Sequence, residues 1–231
     1  MAIRGILFDK DGTLLDFEAT WGPLYRRLAL DLAGGDQTRA QAMLVTGGLD
    51  PMAGRMRAGS VLGAGTTHEI VALWFPELRE EAFHAMAERI DAAFHAHGAT
   101  SSIAVDHLVE TLAALADRGY SMGVATNDAT QAAIIAVRSV GAEKYLPHIF
   151  GYDSVAKTKP APDLVHAFAA AVGLAAAEIA VVGDNLHDLD MAKAAGAGLA
   201  IGVLTGNSSR TDLAPSSTQR ATPCGAGPDC A

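Results

Sequence analysis

The chain has 231 residues, 50% of them hydrophobic and 19% charged, with a net charge of −9, enough for one domain plus a small second one burying about 70% of the unfolded surface. An acidic balance without a Lys/Arg run argues against nucleic acid or an anionic membrane as the main partner, and no apolar stretch has the length and purity of a membrane span. Met1 leads directly into a strand-like run with no basic and hydrophobic leader, the pattern of a cytoplasmic protein, while Cys224 and Cys230, beyond the last recognisable element, indicate neither a disulfide framework nor a thiolate metal site.

The first predicted element is the apolar strand Ile3 to Phe8, which stops at Asp9-Lys10-Asp11-Gly12-Thr13-Leu14. Two carboxylates one residue apart, then a glycine able to take a positive φ, place Asp9 and Asp11 at the carboxyl end of a strand, where open α/β sheets bind ligands. From Asp16 to about Gly98 the pattern is helical. Leu24, Leu28 and Leu32 recur at helix spacing until Gly34-Gly35, a second helix covers Gln37 to Val45, and two more cover Thr67 to Phe75 and Glu77 to Ala96, on either side of Pro76. Between them, Gly47-Gly48, Pro51, Gly54 and Gly59 mark an irregular loop carrying Arg55 and Arg57. This block contains no lysine.

After Gly98 helices and strands alternate, as in a parallel sheet with helices on both faces. Val105 to Arg118 reads as a helix and Tyr120 to Ala125 as a strand ending at Thr126-Asn127; Asp128 is placed to cap a helix that Gly141 stops. A short strand near Ile149-Phe150 leads to Lys157-Thr158-Lys159-Pro160 and a helix to Val172; Ile179 to Val182 is a buried strand ending at Gly183-Asp184; a helix follows to Ala195, and Leu199 to Val203 is a fifth strand. The predicted fold is therefore α/β, a doubly wound, mostly parallel, Rossmann-like sheet (1–15 and 99–206) interrupted after its first strand by an all-helical cap domain (16–98). From Asn207 to Ala231 only Leu213 is a large aliphatic residue, too little apolar area to offset ordering entropy, so 207–231 is expected to be a disordered tail. A shifted reading frame at the gene's end and a natural linker would both produce such a segment.

Three further polar positions fall at strand ends or helix starts on the same side of the sheet: Thr126, Lys159 and Asp184. Asp9, Asp11 and Asp184 are hard oxygen ligands suited to Mg2+, and a lysine with a nearby hydroxyl suits phosphate oxygens. Phosphoryl transfer follows, with one carboxylate attacking phosphorus and the other protonating the leaving alcohol and then activating water.

FDKDGTL, the Thr126 strand end, Lys159-Pro160 and Gly183-Asp184-Asn185-Leu186-His187-Asp188 together resemble the four ordered motifs of the haloacid dehalogenase superfamily, in its phosphoglycolate-phosphatase-like branch, over roughly residues 3 to 203. The resemblance implies that Asp9 is the nucleophile and Asp11 the general acid/base, with its backbone carbonyl on Mg2+. It also implies that Thr126, beside Asn127, and Lys159 hold the phosphoryl group, that Asp184 is a metal ligand, and that Asp188 orients the metal's waters and Lys159. The helical block corresponds to a cap closing over substrate, and Arg55 and Arg57 are its candidates for substrate selection. The implied function is a magnesium-dependent phosphatase acting on a small phosphorylated metabolite, phosphoglycolate among them, through an aspartyl-phosphate, as a monomer or homodimer.

Plainer readings exist for single residues. Thr126 is also a strand-end hydroxyl, Asp188 a helix cap, Lys157 a rival of Lys159, and Arg55 and Arg57 solvated loop residues; Lys10, His187 and Asp190 read as local or solvated. A phosphomutase would share every core residue, and a metabolite-binding protein on this scaffold would show a degraded motif. A dehalogenase needs neither Asp11 nor a metal, and a phosphonate hydrolase needs a cap lysine that is missing here.

Overall fold

A computed structural model of the chain describes residues 2–220. Two compact units emerge, one formed by residues 17–103 and the other by the chain on either side of that insertion. The sequence elements appear in this order. Strand β1 (Gly5–Phe8) precedes the insertion, which comprises α1 (Phe17–Leu32), α2 (Gln37–Gly47), β2 (Leu49–Asp50), β3 (Arg55–Met56), α3 (Val61–Ala64), α4 (Thr67–Trp74) and α5 (Glu80–Ser101). There follow α6 (Leu108–Asp117), β4 (Ser121–Ala125), α7 (Thr130–Ser139), β5 (His148–Phe150), α8 (Asp163–Val172), β6 (Ile179–Gly183), α9 (Leu186–Ala195), β7 (Leu199–Gly202), α10 (Arg210–Leu213) and β8 (Gln219–Arg220).

The strands of the first unit form a six-stranded sheet in the order β5-β4-β1-β6-β7-β8, and every pair in it is parallel. Strand β1 is central because it is apolar on both faces: Leu7 joins one buried cluster with Leu164, Phe168 and Leu189 of α8 and α9, whereas Ile6 and Phe8 join another with Leu108, Leu112 and Val137 of α6 and α7. Alternate side chains of one strand thus bury against helices on opposite faces, the signature of double winding. Phe8, Val124 and Val182 lie in register across β4, β1 and β6, so the residues following these three strands emerge side by side at one end of the sheet.

The inserted unit has its own core around Trp21, Leu24, Leu28, Leu44, Ile70 and Ile90. Phe94 packs edge-on against both Trp21 and Tyr25, with centroids 5.7 and 5.6 Å apart, and the Trp74 indole donates to the Met43 carbonyl at 2.9 Å. Helix α5 continues through Gly98 to Ser101, beyond the expected boundary at 98. A Cβ at Gly98 would stand 3.3 Å from Trp21, so this glycine gives the helix close approach to the indole instead of stopping it. The Gly/Pro-rich loop closes into the short antiparallel pair β2 and β3, with Asp50 opposite Arg55. No helix among the described residues is long and apolar enough to cross a membrane.

Residues 207–220 correct the expectation of a disordered tail. Helix α10 opens with reciprocal bonds in which Ser209 N donates to Asp212 Oδ2 (2.8 Å) and Asp212 N donates to Ser209 Oγ (3.3 Å). Leu213 is 1% exposed, packed with residues of the α8 and α9 cluster. The Ser216 hydroxyl donates to Asp190 Oδ1 at 2.8 Å, and β8 adds to the free edge of β7. One leucine and a sheet edge supply what the composition lacks, namely apolar burial and backbone partners. Cys224, Cys230 and the rest of 221–231 lie outside the described residues.

Candidate active site

Asp9, Thr126 and Asp184 each follow one of the adjacent strands β1, β4 and β6, and backbone pairing extends to two of them: Asp9 N donates to Val182 O at 2.8 Å, and Thr126 N to Phe150 O at 3.0 Å. Asp11 follows one residue later, and Gly12 turns the chain with φ at +84°, a conformation natural to glycine. Lys159, beside the cis Lys159–Pro160 bond ahead of α8, is held by Asn127. The Asn127 Oδ1 accepts from Lys159 N at 3.1 Å, and its Nδ2 donates to Lys159 O at 3.5 Å. Asn127, expected at the phosphate, thus has both ends of its amide on the Lys159 backbone.

The Lys159 ammonium lies between two carboxylates, donating to Asp9 Oδ1 at 2.5 Å and Asp188 Oδ1 at 2.7 Å. Lys157 is exposed, which separates the two rival lysines. Asp188 is buried, and its Oδ2 accepts from Asn185 N at 3.1 Å. Asp188 therefore caps α9 and pairs with Lys159 at once. Thr126 is buried, with its Oγ1 accepting from Asp128 N at 3.1 Å; a hydroxyl that accepts one bond can still donate its own proton.

Among the described residues, Asp9, Asp184 and Asp188 can each bring a ligand oxygen within 4.8 Å of the others. The expected trio was Asp9, Asp11 and Asp184. The Asp11 carboxylate stands outside this side-chain cluster, its Oδ2 pairing with Lys10 Nζ at 2.5 Å; the expected metal contact of Asp11 through its backbone carbonyl does not depend on that side chain. Lys10, read from sequence as local or solvated, is 1% exposed and also lies 3.5 Å from Asp128 Oδ2. Burial disfavours its charge, yet Asp11 and Asp128 more than offset this and raise its pKa.

The electrostatics describe a site with excess negative charge. Burial pushes the Asp9 carboxyl up to about 7, with Lys159 opposing and Asp188 and Asp11 adding to the rise. Burial, then Asp9 and Asp188, also hold Asp184 well above the ordinary carboxylate range. For Lys159, burial works against the charge, but Asp188 and Asp9 outweigh it and raise its pKa. Three clustered carboxylates against one ammonium leave two negative charges, which a divalent cation would neutralise. The donors are all carboxylate oxygens, which suits Mg2+. Since both Asp188 oxygens are already bonded, Asp9 and Asp184 would hold the ion.

Sequence reasoning missed the loop after β7. Asn207 N donates to Asp184 Oδ2 at 3.1 Å, and Thr205 Oγ1 donates to Gly12 O at 2.7 Å. Two glycines pack closely against Asp184: a Cβ at Gly12 would come 2.6 Å from its Cγ, and one at Gly206 would overlap its carboxylate and stand 2.7 Å from its Cβ. The Asn207 Nδ2 is buried with no protein partner. The signal was present in Gly206-Asn207, in the loop that follows the strand ending at Gly202, but the segment's polar composition hid it. Arg55 and Arg57 belong to the inserted unit, both exposed. Asp50 is held below its usual range by the backbone N–H groups of Ala53 and Met52, and by these two arginines.

The cluster thus consists of a largely buried aspartate at the end of β1, a lysine bridging it to a second aspartate, and a third carboxylate just after β6; comparison with known proteins gives the family. The sequence model of the haloacid dehalogenase-like hydrolases matches residues 3–196, and the chain belongs to that family. The described fold also resembles a haloacid dehalogenase-like hydrolase from Streptococcus pneumoniae (TM-score 0.72, 18% identity, 95% of this chain and 93% of that one). A second match is a HAD family hydrolase from Deinococcus radiodurans, solved with bound phosphate and sodium (TM-score 0.63, 22% identity, 95% and 91%). Within the family the chain falls in the phosphoglycolate-phosphatase-like branch. It is 32% identical over 197 residues to the phosphoglycolate phosphatase of Pectobacterium atrosepticum and 31% identical over 195 residues to that of Yersinia pestis, covering 84% of this chain and 78% of the relative in each case.

Proposed function

We propose that the chain is a magnesium-dependent phosphatase that hydrolyses a small phosphorylated metabolite through an aspartyl-phosphate on Asp9, with phosphoglycolate the first substrate to test. The observation that carries this reading is the Asp9–Lys159–Asp188 chain of short ionic hydrogen bonds beside Asp184, with Asp11 held apart from it. A carboxylate in the cluster and a second one outside it divide the labour that two-step phosphoryl transfer requires. Mg2+ held by Asp9 and Asp184 would supply positive charge that keeps the Asp9 carboxylate ionised near neutral pH and lets it approach an anionic ester.

Lys159 and the Thr126 hydroxyl bind the phosphoryl oxygens. The Asp9 carboxylate attacks phosphorus as the bond to the ester oxygen breaks, and Asp11 gives its proton to the departing alkoxide. Asp11, now ionised, takes a proton from water as the water oxygen attacks phosphorus. The acyl-phosphate bond breaks, Asp9 returns as carboxylate, and inorganic phosphate leaves. Asp188 keeps Lys159 charged and aimed throughout.

The relatives named phosphoglycolate phosphatase support the substrate class. The test is phosphate release from a panel of phosphate esters with EDTA and with added Mg2+. Activity should disappear in EDTA and return with Mg2+, and Asp9→Asn should lower it by at least roughly 10³-fold while leaving the fold intact. Activity that survives chelation, or an Asp9→Asn enzyme within tenfold of wild type, refutes this reading.

A further inference from the structure

The motif lysine Lys10 is not required by the chemistry above, yet it is buried. Placing an ammonium at 1% exposure costs several kcal/mol unless it is paired, and an apolar side chain would fill the same position without that cost. Its Nζ lies 2.5 Å from Asp11 Oδ2 and 3.5 Å from Asp128 Oδ2. Asp128 is itself anchored, since its N donates to Thr126 Oγ1 at 3.1 Å and its Oδ1 accepts from Ala129 N at 2.8 Å. A fixed connection therefore runs from the start of α7 through Asp128 and Lys10 to Asp11. The two buried lysines divide the aspartates between them: Lys159 serves Asp9 and Asp188, and Lys10 serves Asp11 and Asp128.

We propose that Lys10, braced by Asp128, is a positioning residue that holds the Asp11 carboxylate out of the metal-binding cluster and in place to protonate the leaving group. This rests on the phosphatase reading, which assigns Asp11 its proton-transfer role. The 2.5 Å contact from Lys10 fixes the direction of the Asp11 carboxylate; a carboxylate turned toward a cation at Asp9 and Asp184 would ligate instead of protonate. The consequence is selective. An alkyl ester, whose alkoxide is a poor leaving group, depends on protonation, whereas p-nitrophenolate departs without it.

The test compares Lys10→Met, Asp128→Asn and Asp11→Asn on an alkyl phosphate and on p-nitrophenyl phosphate, using kcat/KM because it covers the steps up to alcohol release. Lys10→Met should lower kcat/KM on the alkyl ester by about 10- to 100-fold, the scale of a mispositioned group, and at least about five times more than on the aryl ester. Asp128→Asn, at a partly exposed position that tolerates the change, should show the same bias to a smaller degree. The double variant Lys10→Met/Asp11→Asn should lose no more than Asp11→Asn alone, because both changes act through one carboxylate. Equal losses on the two esters, or multiplying losses in the double variant, overturn the proposal while leaving the phosphatase reading in place. If wild type releases no phosphate from any ester, that reading fails; the positioning claim is then decided by a crystal structure of Lys10→Met. There an Asp11 side chain in the wild-type orientation overturns it and a displaced one supports it.

Discussion

Gly206→Ala probes how the loop after β7 controls the site. The new methyl group would overlap the Asp184 carboxylate and stand 2.7 Å from its Cβ, when real Cβ contacts do not fall below 3.0 Å. Asp184 has little room to shift, because Gly12 also packs closely against its carboxylate. One route is a shift of the carboxylate by roughly 1 Å, which for a group in the reaction path costs about 10²-fold in rate and weakens Mg2+ binding. The other is that the loop peels away, giving up the Asn207 N bond to a charged carboxylate and the Thr205 bond to Gly12 O. Those are worth about 1.5–3 and about 0.5–1.5 kcal/mol. The sum, roughly 2–4.5 kcal/mol, corresponds to a Tm lowered by about 4–18 °C in a chain of this size. Phosphate release titrated with Mg2+ reads the first route, and thermal melting in EDTA reads the second. A variant whose kcat, half-saturating Mg2+ and Tm all match wild type would refute the claim that this loop grips Asp184.

The raised pKa of Asp9 predicts a stability that depends on pH in a definite direction. The folded state holds the proton more tightly than the unfolded chain, so metal-free wild type should lose stability as pH rises from about 4 to about 7, by a few kcal/mol relative to Asp9→Asn; urea midpoints lacking this slope difference would contradict it, and Mg2+ should stabilise more at pH 8 than at pH 5. Ending the chain at Asn207 removes the buried Leu213 and the β8 pairing and should lower Tm by more than about 5 °C, consistent with about 2–5 kcal/mol for a lost core leucine; an unchanged melt would show that α10 and β8 contribute nothing. In the inserted unit, replacing Arg55 and Arg57 together with alanine should raise KM for carboxylate-bearing esters by about 10-fold, the worth of one charged hydrogen bond, and leave p-nitrophenyl phosphate nearly unaffected. Equal effects on both substrates would assign these arginines to solvent.

Asp9, Lys159 and Asp184 were legible because their signals are local: a strand-length apolar run that ends abruptly on a charge, or a lysine set against a proline ahead of a helix. Where the chain must turn, at Gly12, and where the sheet is interrupted by helices, the signals are equally local, since they depend on backbone conformation and on periodicity within a few residues. Tertiary structure alone decided which carboxylates cluster. The Asp11 side chain was expected beside Asp9 and Asp184 by proximity in sequence, but its carboxylate pairs with Lys10, and Asp188, a turn into α9, joins the cluster through Lys159. The ending at 207–220 shows the same limit. Its composition predicts disorder when the segment is considered in isolation, yet a free edge at β7 and a space beside α9 for Leu213 give it partners far away in sequence. Burial and pairing are properties of what a residue meets, and for Lys10, Asp188 and Asn207 those partners lie on other strands and helices, so only the folded chain determines them.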